Sequence, residues 1–502
     1  MTGGRLLPLA LVALVALSAA PARAQFSVVP MLVNGPTSGR INIVFMAEGY
    51  TAGEMATFAT DAQDALSYLL TLEPWSAYAP YFNAYRIEVV SGQSGSDHPG
   101  TASDEPGGVP VFFADTYFNS TYDYAGIHRL LAIPGPGAAY GLLMNLFPEW
   151  DIGFVVVNKD IYGGSGGTFA VFSTHSASAE LAAHEVGHSF AFLDDEYPYG
   201  DIGYWDTDAW PNTTVETVGA SIKWNAWIAP ATPVPTPAQD PYLGVVGLFQ
   251  GAHYNPTRWY RPKADCRMRS LGVPFCPVCA EALVRSYYRL LHPIVSSTAP
   301  ADVDSVFDAD SLSFEVTTLE PAAHSIVLAW KVDGVQQPGT ANTFVLHGGP
   351  LAPGTHTVAA TAHDPTAYVR NDPPGLTDPD GLLTEQRTWY VEKVLVASVP
   401  PFTGRGPRLV LHASVPNPVT GAARLRFELF APAGERLPVR LALHAVDGRR
   451  VRLLEDRALP AGAYERPWDG SDDAGRPVRA GVYFLSASAG DAHATRRVVV
   501  VR

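Results

Sequence analysis

Cysteine is nearly absent: three residues in a chain of 502, all within one short stretch as Cys266, Cys276 and Cys279. That excludes a disulfide-dense secreted scaffold, and the odd count leaves one thiol over if the other two bridge. A single structural disulfide between Cys266 and one member of the CPVC run is expected. A zinc site on three thiolates lacks a convincing fourth ligand nearby in the sequence. Basic charge is also short, with 34 Lys and Arg against 49 Asp and Glu and a net charge of −15. Nucleic acid and anionic membrane surfaces are therefore poor partners. Beyond the N-terminus no segment approaches the ~20 apolar residues of a transmembrane helix, so no transmembrane span is expected. No solenoid repeat is visible. Residues 25–40, which precede the first strand-like run, are too few for a latency pro-segment.

What is present begins with MTGGRLLPLALVALVALSAAPARAQFS. One early arginine, an apolar core from Leu6 to about Ala20 and the small-residue pattern Ala22-Arg23-Ala24 read as a secretory signal peptide over 1–24. Localisation is thus expected to be secreted or at the cell surface. The whole chain is 47% apolar and 17% charged, a folded-protein composition, and its length implies two to four domains.

Residues 25–295 read as mixed helix and strand. INIVFMAEGY (41–50), FNAYRIEVV (82–90) and DIGFVVVNK (151–159) are apolar runs of buried-strand type. TAGEMATFATDAQDALSYLL and SASAELAAHEVGHSFAFL (176–193) have helical period. Past position 296 short Val-, Thr- and aromatic-rich runs alternate with Pro, Gly and Asp turns, the pattern of β-sandwiches over 296–397 and 404–502. SVPPFTGRGPR (398–408) forms the break between them.

Chemistry concentrates at HEVGHSFAFLDDEY (184–197). On a helix His184 and His188 share a face one turn apart, while Val186, Phe190 and Leu193 form the packing side. Two neutral imidazoles at this spacing suit one Zn²⁺ ion, and Glu185 between them suits a general base for metal-activated water. The third ligand is open. The metzincin spacing HExxHxxGxxH/D gives Asp194, but Ala191 holds the glycine position; Asp195 and Glu196 are within reach, and Glu216 is a distant candidate. The crowding of acids directly after the helix favours a local ligand. Met268 in DCRMRS lies where a methionine turn beneath the metal is expected, tied down through Cys266.

These residues resemble the IgA-peptidase-type zinc metallopeptidases. His184, Glu185, Gly187, His188, Ser189, Phe190, Leu193, Asp195, Glu196 and Tyr197 match that family's HExGHsf and L-x-DEY hallmark. MAEGYT (46–51), SGQSGSDHP (91–99), YGGSGG (162–167), the run 247–262, CRM and FCPVC agree with it in order. The resemblance implies a multidomain chain: an α/β metzincin-like zinc-peptidase domain followed by two all-β immunoglobulin-like sandwiches. It further implies a secreted endopeptidase acting on a protein or peptide substrate, with His184, His188 and Asp195 as metal ligands and Glu185 as catalytic base. Phe192 stands where that register wants a turn glycine. YGGSGG is either a loop bordering the cleft or a plain turn. Tyr197 suits a packed anchor of the helix end better than an oxyanion donor.

The last segment, with VPNPVTG (415–421) and AYERPWDGSDDAGRPVRAGVYFLSASAG (463–490), looks like the hook-capping and sorting domains that end many exported bacterial proteins. Export machinery or cell-surface attachment is the partner it implies. The cluster Asp469, Asp472 and Asp473 is better explained as hairpin caps than as a calcium site. An alternative function is a surface-attached binding or adhesion protein on an inactive peptidase-like scaffold. Intact His184, Glu185 and His188 argue against it.

Overall fold

The computed structural model describes residues 26–199, 207–298, 304–306, 311–370, 381–393 and, apart from 413, 415, 417 and 433, 406–501. The signal-peptide segment lies outside them. The chain divides into two units, Met1–Leu283 and Val284–Arg502. It is multidomain and mostly β, with four α-helices among the described residues.

The first unit is built on a six-stranded sheet. Its strands are β1 (Val28–Leu32), β2 (Ile41–Glu48), β3 (Phe82–Ile87), β4 (Ile152–Val157), β5 (Gly164–Ser165) and β6 (Ala170–Ser173), in the order β1-β3-β2-β4-β6-β5. β3, β2, β4 and β6 run parallel, whereas the outer strands β1 and β5 are antiparallel. Every residue of β2 and β4 is buried, which is why those stretches read as unbroken apolar runs rather than alternating ones. Helices α1 (Met55–Leu69) and α3 (Ser178–Ala191) pack on each other, and α3 also lies on β4 and β6. A capping box, in which Thr51 and Glu54 bond reciprocally, leads into α1. The remaining elements are α2 (Gly137–Leu146), the hairpin β7 (Phe249–Ala252) and β8 (Asn255–Arg261), and α4 (Pro277–Leu290).

In the second unit two hydrophobic cores appear. Phe314, Val316, Trp330, Val358, Trp389 and Val391 fill the first, between a five-stranded and a three-stranded sheet. Its strand Ser311–Thr318 shows strict in–out alternation, and the strand Ile294–Ser297 pairs with it. Leu425, Phe427, Leu441, Leu443 and Trp468 belong to the second core, between sheets of three and four strands. The Asp469–Asp473 acids serve turns: Asp469 accepts from Ser471, Asp472 from Ala474 and Arg476, and Asp473 from Leu453 and Arg450.

Candidate metal site

Helix α3 is buried on almost every side, yet it carries two imidazoles on one flank. Their tautomers follow from their partners. His184 Nδ1 lies 2.9 Å from the Arg267 carbonyl and His188 Nδ1 2.7 Å from the Leu193 carbonyl. A carbonyl only accepts, so each Nδ1 carries a proton, and in the neutral ring each Nε2 presents a bare lone pair. Those two Nε2 atoms stand 3.2 Å apart and meet Asp195 Oδ1 at 3.1 and 3.4 Å. Three acceptors converging on one point repel unless a cation joins them. Zinc bonds of about 2.0–2.1 Å in tetrahedral array place ligand atoms roughly 3.3 Å apart, so the residues present fit the ion.

Asp195 reaches this point because α3 stops abruptly. Phe192 adopts the left-handed conformation (φ 55°) and the Leu193 N–H bonds back to Gly187 O at 3.0 Å. A phenylalanine therefore makes the turn that usually calls for glycine, with its side chain 67% exposed. The three acids that follow then diverge. Asp194 accepts from Thr213 and His253, and its main chain pairs with Asn212. Asp195 faces the imidazoles and also accepts from the Tyr254 hydroxyl. Glu196 turns toward Asn212 and Cys279. Glu216 is engaged by its own turn, accepting from the N–H groups of Thr217 and Val218.

Burial alone would lift the Asp195 carboxyl, but the His188 and His184 rings hold it well below the usual carboxylate range. Burial would likewise lower His188, and Asp195 reverses this and raises it to about 10. The pocket therefore favours positive charge at the meeting point. Glu185 is buried beside the rings, and burial pushes its carboxyl up against the pull of His184 and His188.

This cluster floors a cleft of about 1060 Å³, bordered by Arg129, Tyr162, Ser165, Phe192 and Tyr197 among others. Within the YGGSGG run only Gly164–Ser165 form a strand, the edge strand β5, and the run borders the cleft through Gly164 to Gly167. A Cβ on Gly164 would sit 2.9 Å from Glu185 Oε1, and one on Gly166 only 2.3 Å from His188 Cβ. Glycine is there because the backbone passes directly over the two site residues.

Beneath α3, Met268 is fully buried, and a Cβ on Gly187 would meet its sulfur at 2.7 Å. The expected covalent tie is not found. All three cysteines are buried thiols, with Cys266 and Cys279 sulfurs 3.6 Å apart, well beyond a disulfide bond of about 2.05 Å. They converge instead on Glu196, the nearby acid that sequence spacing did not reveal.

Tyr254 and His253 are the functional residues that sequence reasoning missed. They occupy the β7–β8 turn, both with positive φ (55° and 51°), and their N–H groups bond to Tyr197 O and Asp195 O. The hairpin tip thus holds the chain from Asp194 to Tyr197 through side chains and backbone together. Their presence in the matched run 247–262 was the available signal. Tyr197 donates to Tyr254 at 3.1 Å and receives Arg129 Nη2 at 3.4 Å, a packed link rather than a free donor to the cleft.

Two histidines one turn apart, a carboxylate meeting them and a buried glutamate alongside define a candidate metal centre of the HExxH kind. Residues 29–243 and 238–287 match the family described as IgA Peptidase M64, and the chain belongs to that family of peptidases. No curated protein sequence matches the chain. Among solved structures it is similar to dimeric latent PorU from Porphyromonas gingivalis, at 17% identity over 41% of this chain and 20% of that one, with a TM-score of 0.17. The fibronectin(III)-like modules of Clostridium thermocellum CbhA match at 15% identity over 41% of this chain and 92% of theirs, with a TM-score of 0.16. The chain spans about a fifth of the PorU chain it matches.

Proposed function

We propose that this protein is an exported, zinc-dependent endopeptidase with a metzincin-like catalytic domain over 25–295. His184, His188 and Asp195 would hold the single catalytic Zn²⁺. The observation that carries the reading is the meeting of two imidazole lone pairs and a carboxylate oxygen within 3.1–3.4 Å of one another, on the floor of a cleft. When bound, zinc supplies Lewis acidity, bringing the pKa of water toward about 7.

The chain's own residues do the rest. Glu185, desolvated beside the rings, takes a proton from the attacking water and delivers it to the leaving amine. Arg129, at the cleft wall, supplies positive charge near the substrate carbonyl. Tyr254 orients Asp195 through its hydroxyl, and the Arg267 and Leu193 carbonyls fix the two imidazole tautomers. Segments 296–397 and 404–502 are read as immunoglobulin-like spacer and attachment domains, with the signal peptide delivering the whole to the cell surface or medium.

The test is zinc content and casein or gelatin cleavage, measured side by side for wild type and Glu185→Ala. The reading expects zinc in both and cleavage in wild type alone. A wild type that takes up no zinc at His184 and His188 overturns it.

A further inference from the structure

A second convergence lies outside the HExxH site. Between β3 and α2 the chain runs from residue 88 to 136 with one short 3₁₀ turn, Tyr124–Gly126, as its only helical or strand element beyond isolated bridges. Segments this long without regular structure are uncommon in compact domains and need something else to order them. One anchor is Glu48 at the end of β2, whose carboxylate accepts from Thr116 Oγ1 at 2.6 Å and from the N–H groups of Phe118 and Ser120 at 2.8 Å. The other is a group of four side chains: His98, Glu105, Asp123 and His128.

Their geometry is that of ligands around a point. His98, fully buried, has Nδ1 2.7 Å from the Pro110 carbonyl, so that nitrogen carries a proton and Nε2 faces inward. Nε2 lies 2.8 Å from Glu105 Oε1 and 3.7 Å from Asp123 Oδ1. His128 Nδ1 lies 3.2 Å from that same Asp123 oxygen and 3.2 Å from Glu105 Oε2. These separations bracket the roughly 3.3 Å edge of a tetrahedron with zinc-like bonds. Glu105 Oε2 is buried and accepts no hydrogen bond. A buried carboxylate oxygen left without a donor is costly unless an ion takes that place. The ligand carriers are themselves fixed: Asp123 Oδ2 accepts from Thr101 N, and His128 N donates to Asp104.

We propose that His98, Glu105, Asp123 and His128 form a second, structural metal site for a divalent transition ion, zinc foremost, that staples the segment carrying one wall of the cleft. Two imidazoles with two carboxylates suit such an ion, whereas calcium and magnesium favour all-oxygen shells. Two neutral rings and two carboxylates also balance a 2+ charge without burying an excess. Four protein ligands close the coordination sphere, which marks a structural rather than a catalytic centre. The site matters to the cleft because His128 immediately precedes Arg129, and Ile127, Arg129 and Leu130 line it. Arg129 O also accepts from Gly164 N of β5 at 3.2 Å, so the staple reaches the strand above Glu185.

The test reads metal rather than activity. Crystals of the full chain grown with zinc present, with anomalous scattering recorded on both sides of the zinc edge, should give a peak between His98, Glu105, Asp123 and His128. That peak is separate from any at His184 and His188, so the two sites succeed or fail independently. In solution the double variant Glu105→Gln, His128→Gln should hold one equivalent of zinc fewer than wild type prepared in parallel and should melt at a lower temperature. Chelation should lower the wild-type melting temperature in a step that this variant lacks. Zinc-grown crystals with no peak at the four residues would overturn the proposal and leave two histidine–carboxylate contacts as the account of the cluster. Should the variant fail to fold, the wild-type crystal decides alone.

Discussion

The two histidine–carboxylate clusters of the first unit differ in how many ligands they present and what lies beside them. At His184, His188 and Asp195 three donors meet on the floor of a cleft, and a glutamate that is not part of the triangle sits alongside. At His98, Glu105, Asp123 and His128 four donors close on each other within an irregular segment, with both carboxylates used as ligands. An open position beside a spare base permits chemistry, whereas a filled shell permits only cohesion. On the readings proposed above, the same residue types make a reaction centre in one place and a staple in the other.

The strongest way to break this comparison is at Glu185. Glu185→Ala leaves the three ligands in place but removes the base, so hydrolysis of a casein substrate should fall by about 10²–10⁴-fold while zinc content is unchanged. Equal loss of zinc and activity would make Glu185 a ligand and erase the difference between the clusters.

A smaller effect is expected one step out. Tyr254→Phe removes the hydroxyl that donates to Asp195 but keeps the ring against Tyr197. Supporting partners of metal ligands typically contribute 10–100-fold to affinity or activity. Zinc competition against a chromogenic chelator should show weaker binding in this range. Unaltered affinity would place the hydrogen bond outside the metal's support.

The strands and the HExxH helix were legible because burial on both faces leaves unbroken apolar runs, and because His184 and His188 share a helical face whatever surrounds them. The divergence of Asp194, Asp195 and Glu196 was not, since it depends on a left-handed Phe192 and on a hairpin tip some 60 positions downstream. The four-ligand cluster left still less trace. Its residues sit at irregular spacings on a loop, so no period marks them, and they are brought together by isolated bridges such as Asp97–Thr121 and His98–Phe112 and by hydrogen bonds such as Thr101 N to Asp123 and His128 N to Asp104. The cysteines misled for a related reason: spacing suggested a disulfide, but the carboxylate they face comes from the far side of the chain's path.

Backbone strain offers a sharper test of the open–closed difference. Phe192 in the cleft and Ala125 near the four-ligand cluster both have positive φ, 55° and 54°. Glycine relieves the clash of Cβ with the backbone, so Phe192→Gly and Ala125→Gly should each stabilise the fold by about 1 kcal/mol in denaturant unfolding. Only the first should also lower kcat/KM, because Phe192 borders the cleft and Ala125 does not. Equal kinetic effects from both would mean that the Phe192 side chain has no role at the cleft that Ala125 lacks.

The smallest effect concerns a histidine–carboxylate pair that needs no metal. In the second unit His356 Nδ1 lies 2.5 Å from Asp333 Oδ2, and its Nε2 lies 2.7 Å from the Ala352 carbonyl. One ring between two acceptors is satisfied by a second proton. The hydrogen bond to Asp333 raises the His356 pKa, and the bond from His356 lowers that of Asp333. The sign follows: the raised histidine contributes stability that is full below its ordinary value of about 6.5 and fades as pH climbs through its folded value. The lowered aspartate contributes above its own ordinary value and fades as pH falls through its folded one. At this exposed position solvent screening limits the contribution to well under ~1 kcal/mol. An NMR titration of the His356 ring, assigned by its disappearance in His356→Asn, should give a midpoint above the ordinary histidine value that falls back in Asp333→Asn and ignores added zinc. Sensitivity to zinc here would mean that imidazole–carboxylate contact alone recruits the ion, and the number of converging donors would cease to separate a proton-held pair from a metal site.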